Sequence, residues 1–188
     1  MMFRPGWFNL NLAALSGLVV ALASCGCRSS APSNDKILAT VRVHIEANAD
    51  RSNRTTEVPV YRASPVLVNV ETTPVVTEMA VSEARVVDTV GGFALRIAFN
   101  HEGRFLLEQA TAENRGRHYA VYCQFPSLQD PTTTQGRWLA APVITTRLTD
   151  GVLMFTPDAT REEAHEIALG LNHVAARNGN APADGKTF

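Results

Sequence analysis

Five histidines and three cysteines are the residues of this 188-residue chain that metal or nucleophilic chemistry would draw on. His165 and His173 stand eight residues apart in a helical pattern, which separates their Cα atoms by about 12 Å at 1.5 Å rise per residue. A zinc ion needs its nitrogen ligands at about 2.1 Å, so these two cannot share one. His165 lies beside Glu162 and Glu166, on what reads as a solvated face. His101 and His118 flank another helical stretch, His44 falls on the polar side of a strand, and none sits in a ligand-spaced motif. Cys123 is mid-strand in an apolar run with no neighbouring cation or helix N-terminus to lower its pKa, the setting of a buried core thiol. The chain contains no Gly-x-Ser-x-Gly elbow and no phosphate-cradling glycine loop ahead of a helix. Arg115 and Arg117 bracket Gly116 at a helix end, where the helix dipole favours positive charge without any phosphate. The expectation is a protein without a catalytic, metal or cofactor site, and not an enzyme.

Cys25 has a different chemistry. Arg4 is the only charged residue before Arg28, and Leu12–Ala23 is the most apolar stretch of the chain. A short positive region, an apolar core and then small residues have the layout of a secretory signal. It closes on Leu22-Ala23-Ser24-Cys25, which matches the lipobox of bacterial lipoproteins, in which the cysteine is lipidated and becomes the first mature residue. A box ending at Cys27 would put Ser24 where Leu is preferred. The competing reading is an uncleaved signal anchor, but Trp7–Ser24 is 18 residues, at the lower edge of a bilayer span, and contains Asn9 and Asn11. Under the lipobox reading, Gly26 does not retain the protein at the inner membrane as Asp would, so the outer membrane, facing the periplasm, is favoured where the host has one.

Residues 1–24 are thus expected to be a signal peptide, 25–36 a small, polar tether, 37–178 one domain, and 179–188 an unstructured tail. Removing 1–24 leaves 16 basic and 18 acidic residues, a net charge of −2. That balance argues against nucleic acid as a partner, since phosphate binding calls for a basic surface. Hydrophobic residues at 45% and charged residues at 19% exclude wholesale disorder and a polytopic membrane protein.

Within the domain, Val41, Val43 and Ile45 alternate with Arg42, His44 and Glu46, as in a half-buried strand. Glu57–Tyr61 is read as its returning partner and Val66–Val70 as a third strand. Ala84–Val90 and Phe93–Phe99 flank Gly91-Gly92, a two-residue hairpin signal. Asn100 is a good N-cap for a helix ending at Gly116, with Phe105-Leu106-Leu107, Ala110 and Thr111 as its apolar stripe. His118–Phe125 is strand-like, Phe125–Trp138 reads as a long loop, and Val143-Ile144 and Val152–Phe155 as short strands. Thr160 and Glu163 form a capping box before a helix whose apolar face carries Ala164, Ile167, Ala168, Leu171, Val174 and Ala175. The fold class is α+β, an antiparallel-rich sheet with two helices packed on one face.

Three stretches carry a family resemblance. Phe99-Asn100-His101-Glu102-Gly103, followed by Thr111, Asn114, Gly116 and Arg117, is similar to an "F-N-x-E-G … T-x-x-N-x-G-R" helix. Tyr119–Tyr122 leading to Ala140-Ala141-Pro142-Val143-Ile144 resembles a "lAiv … sAPvI" strand pair. Gly151–Phe155 followed by Thr160-Arg161-Glu162-Glu163-Ala164 resembles a closing "T-x-E-E-A" helix. In this order, over roughly residues 66–176, they resemble the head subdomain of the first periplasmic domain of SecD, an accessory subunit of the bacterial protein-export machinery. The chain departs from that family in the long segment Gln124–Arg137, where SecD has a tight Asp-Gly hairpin. After residue 25 nothing approaches 18 consecutive apolar residues, so the resemblance implies the fold and an export-side location but no motor.

The expected function is a non-enzymatic, membrane-tethered module that contacts unfolded preproteins or translocon subunits. The contact would use strand edges and the Thr132-Thr133-Thr134 segment with Trp138, a residue that suits core packing equally well. No nucleic acid and no small-molecule substrate is expected. The alternative is a structural or assembly lipoprotein of the envelope that reuses the fold, because one fold hosts many functions.

Overall fold

The computed structural model describes residues 38–50, 53–130 and 132–182. The expected signal peptide and tether, with Cys25, and the last six residues lie outside the described residues.

The chain runs β1 (Thr40–Ile45), β2 (Thr55–Val60), β3 (Val66–Glu71), β4 (Val76–Thr77), a 3-10 turn (Glu78–Ala80), β5 (Val81–Thr89), β6 (Gly92–Phe99), α1 (His101–Glu113), β7 (Tyr119–Pro126), β8 (Thr134–Ala140), β9 (Val152–Phe155) and α2 (Arg161–Arg177). The class is α+β, and its strands divide among three antiparallel sheets: β4-β1-β7-β8, β5-β6-β9 and the β2–β3 hairpin.

Alternation along β1 sorts its side chains as the pattern implies. Val41, Val43 and Ile45 are buried with Tyr119, Val121 and Cys123, their register partners on β7. This face belongs to one core that also takes Leu95, Ile97 and Phe99 from β6, Leu107 and Ala110 from α1, and Ile167, Ala168, Leu171 and Ala175 from α2. Both helices therefore close over the same core. They approach closely where side chains are smallest. A Cβ on Gly103 of α1 would lie 2.7 Å from the Ala80 Cβ, and one on Gly170 of α2 would lie 2.7 Å from the Ala39 Cβ.

The opposite face of the four-stranded sheet departs from the sequence reading. His44, expected on a polar face, is only 7% exposed. The β2–β3 hairpin covers it, burying Val58, Val60, Val68 and Val70 against Ala120, with Trp138 and Ala141 packed alongside. Correspondingly, β2 does not return along β1. It pairs with β3 from Thr55↔Glu71 to Val60↔Val66, while β1 lies between β4 and β7. Periodicity reports that a segment is extended and half-buried; it does not report which strand satisfies its backbone.

Five local details also differ. The β5–β6 hairpin closes at Thr89↔Gly92, so its turn is Val90-Gly91, with φ +87° at Gly91. Asn100 caps α1, its side chain accepting from the Gly103 N–H, but the C-cap is Asn114, with Gly116 (φ +85°) two residues beyond. Phe105 leaves the apolar stripe and is 62% exposed, whereas Gly103 turns inward. The segment read as one loop, Phe125–Trp138, contains most of β8, and Val143 forms only an isolated bridge to His118. Two prolines, Asp130 and Gly136 within the segment masked a strand whose Thr134 and Trp138 favour extended structure.

Candidate functional site

The connection between β7 and β8 is built around Asp130. One carboxylate oxygen accepts from the Thr132 amide at 2.9 Å and from its hydroxyl at 2.6 Å. The Asp130 carbonyl accepts from the Thr133 amide at 3.0 Å and from its hydroxyl at 2.9 Å. This local capture of the backbone by an Asp side chain is what a short polar residue offers a turn. The hydrogen bonds from Thr132 hold the Asp130 carboxyl below its ordinary range. Leu128 and Thr132, Thr133 and Thr134 are exposed around it, and Thr134 opens β8 opposite Pro126.

Trp138 belongs elsewhere. It lies four residues along β8 from Thr134, about 13 Å at the rise of a strand. It stands opposite Tyr122, with the ring centroids 5.2 Å apart, and meets the His44 ring edge-on at 5.2 Å. It is half-buried and packs on the second core. The structure thus brings the three threonines together at an exposed tip and places the tryptophan with His44 under the β2–β3 hairpin.

A charged cluster that sequence reasoning did not find ties this region to α2. Glu163 completes the capping box: one of its oxygens accepts from the Thr160 N–H at 2.9 Å, and the Thr160 hydroxyl accepts from the Glu163 N–H. Its second oxygen lies 2.7 Å from the Arg137 guanidinium, with the two side chains 13% and 10% exposed. Arg137 also covers the Phe125 ring at 4.9 Å. Arg62, in the β2–β3 loop, binds Asp158 through its backbone N–H at 2.7 Å and its side chain at 3.3 Å, and reaches Glu163 at 3.9 Å. Burial alone would push the Glu163 carboxyl up, but the Thr160 and Arg137 hydrogen bonds and the two guanidinium charges hold it below its ordinary value. The capping box betrays Glu163, but nothing near residues 62 or 137 indicates that both arginines converge on it. Its chemistry is that of a clasp, because the glutamate's oxygens are spoken for.

The histidines do not converge. His44 is buried, the His118 ring lies 2.7 Å from the Glu46 carboxylate, and His101, His165 and His173 are exposed at separate places. Among the described residues no group of three or more His, Cys, Asp or Glu is arranged to hold a metal ion. Cys123 is fully buried, and burial, reinforced by Glu78 and opposed by Arg137, pushes its thiol far up. Burial likewise raises the Tyr119 phenol to about 12. Among the described residues no helix is long and apolar enough to cross a membrane.

An α+β head with both helices over one core, extended by a hairpin on the opposite sheet face, defines the structural class. The family model for the P1 head subdomain of SecDF matches residues 53–175, well over half of the chain, and the chain belongs to this family. The match begins ahead of β2 and so takes in the β2–β3 hairpin. Three solved structures are similar. SecDF in its super-membrane-facing form is 22% identical, over 72% of this chain and 19% of that one, with a TM-score of 0.49. A SecDF described as a membrane component that enhances protein export is 19% identical over 91% and 71%, with a TM-score of 0.49. SecDF of Thermus thermophilus, described as a translocon-associated membrane protein, is 16% identical over 88% and 34%, with a TM-score of 0.38. The chain spans about a fifth of the first of these. No curated protein matches it.

Proposed function

We propose that this chain is a non-enzymatic envelope protein, lipid-anchored through Cys25 and facing the periplasm, whose head binds unfolded polypeptides or export components. The observation that carries the reading is the SecDF P1 head match over residues 53–175. The Leu22-Ala23-Ser24-Cys25 box supports the anchor, and Gly26 favours an outer-membrane location where there is one. The contact is assigned to the exposed β7–β8 tip with Thr132, Thr133 and Thr134, and to the edge of Trp138 that the second core leaves open. One similar structure is described as a membrane component that enhances protein export, and another as a translocon-associated membrane protein.

The test has two arms. Palmitate labels the wild type and not Cys25→Ala; equal labelling of both removes the anchor. A photo-crosslinker at Thr133 in living cells traps secretory chains or translocon subunits, and recovery of abundant proteins at random removes the binding role. A structural or assembly role is the second reading, favoured by one feature of the tip: the Thr132 and Thr133 hydroxyls are already spent on Asp130. A constant, stoichiometric partner in a pulldown selects that reading over transient contacts.

A further inference from the structure

The second core contains a titratable group that no clasp or capping role accounts for. His44 projects from β1 into the layer between the four-stranded sheet and the β2–β3 hairpin and is 7% exposed. Its Nδ1 lies 2.8 Å from the main-chain oxygen of Glu71, the last residue of β3, so the ring must donate there. Trp138 of β8 closes its flank. Near this bond the hairpin is tied to the chain after β1 by the Ala47 N–H on the Asn69 carbonyl and the Asn69 side chain on the Ala47 carbonyl, each at 2.9 Å. The far end is held independently, by Arg62 on Asp158 and Glu163.

We infer that the His44–Glu71–Trp138 contact is an acid-sensitive latch: protonating the ring loosens the Glu71 end of the hairpin while the helical core and the Arg62 end stay closed. A neutral imidazole fits a dry layer of valines; an imidazolium there loses its hydration without gaining a counter-charge. The charged and titratable groups around it are Arg42 on β1, Glu46 just after it, Glu71 on β3, His118 just before β7 and Tyr122 on it. Arg42 repels a ring proton, the Glu71 contact is through its carbonyl, and the Glu46 carboxylate is occupied by the His118 ring and amide. Burial, aided by Arg42 and opposed by the Glu71 hydrogen bond, holds the His44 pKa below the usual imidazole value.

Proton binding and hairpin docking are linked. The released ring binds a proton more readily than the docked one, so docking is complete above about pH 6.5 and weakens as pH falls below it, by up to about tenfold per pH unit until the docked value is reached. The released hairpin would bare the apolar faces of Val68, Val70, Ala120 and Trp138.

Hydrogen exchange on the full chain at pH 7.5, 6.5 and 5.5, corrected for intrinsic rates, tests it. Residues 55–71 should open more as pH falls, by up to about fivefold between pH 6.5 and 5.5, with residues 81–99 unchanged, and His44→Gln should abolish the response. A flat wild-type profile, a response that survives in His44→Gln, or equal opening of both segments overturns the latch. Should His44→Gln not fold, NMR titration of the wild-type ring decides: a midpoint below 6.5 is expected, and one at or above it refutes the proposal.

Discussion

The two faces of the four-stranded sheet are stabilised in different ways. One carries a deep core in which residues from seven strands and both helices exclude water from Leu95, Ile97, Leu107, Ile167 and Leu171. The other carries a thin layer, four hairpin valines on Ala120, edged by Trp138, with polar fastenings at either end. Apolar burial contributes in proportion to area, so the first face is where global stability resides. The second has little area and depends on His44, Asn69 and Arg62 to keep the hairpin in register with its support. Thin, polar-fastened layers are the ones that open locally before the molecule unfolds.

Three substitutions probe this contrast, in descending order of expected effect. Leu171→Ala leaves a cavity in the deep core and should cost about 2–5 kcal/mol of global stability. Denaturant unfolding would measure it, and a loss under 1 kcal/mol would mean that the deep core is not the dominant one. Arg137→Met leaves the Glu163 carboxylate without its close partner in a nearly closed setting and should cost about 3 kcal/mol at neutral pH. Because the fold depresses the Glu163 pKa, its contribution is present above the ordinary carboxylate value and is lost as pH falls through the folded value. The difference between wild type and Arg137→Met should therefore shrink on acidification, and a pH-independent difference would assign Arg137 to packing on Phe125 alone. Val70→Ala removes two methyl groups from the thin layer, about 1.5 kcal/mol by transfer. Its effect should be local: faster exchange across residues 55–71 while the Cys123 thiol stays unreactive, as its burial in the other core requires. Alkylation of Cys123 in Val70→Ala at native conditions would show that the two layers unfold together.

Much of the deep core was legible. Alternation in β1, the Asn100 cap and the Thr160–Glu163 capping box each act within a few residues, and each produced the element it announced. The family, too, could be named from motifs at the β6–α1 junction, along β7 and at the β9–α2 junction. The thin layer was not legible. A histidine among alternating polar residues looks solvated until another strand pair lies over it, and the pattern of β2 is indifferent to whether β1 or β3 is its neighbour. Trp138 and the threonines, close in sequence, separate because β8 carries them about 13 Å apart along an extended chain.

What the chain by itself determined is therefore local: where helices start, which face of β1 meets the deep core, and that Cys25 follows an apolar stretch. Which strands pair, what covers the second sheet face, and how Arg62 and Arg137 reach a single glutamate were decided only on folding. Those contacts join residues some 25 to 100 positions apart, as between Arg62 and Asp158 or His44 and Glu71. Their energy arises from desolvation and backbone pairing in the assembled layers, which no short window of sequence contains.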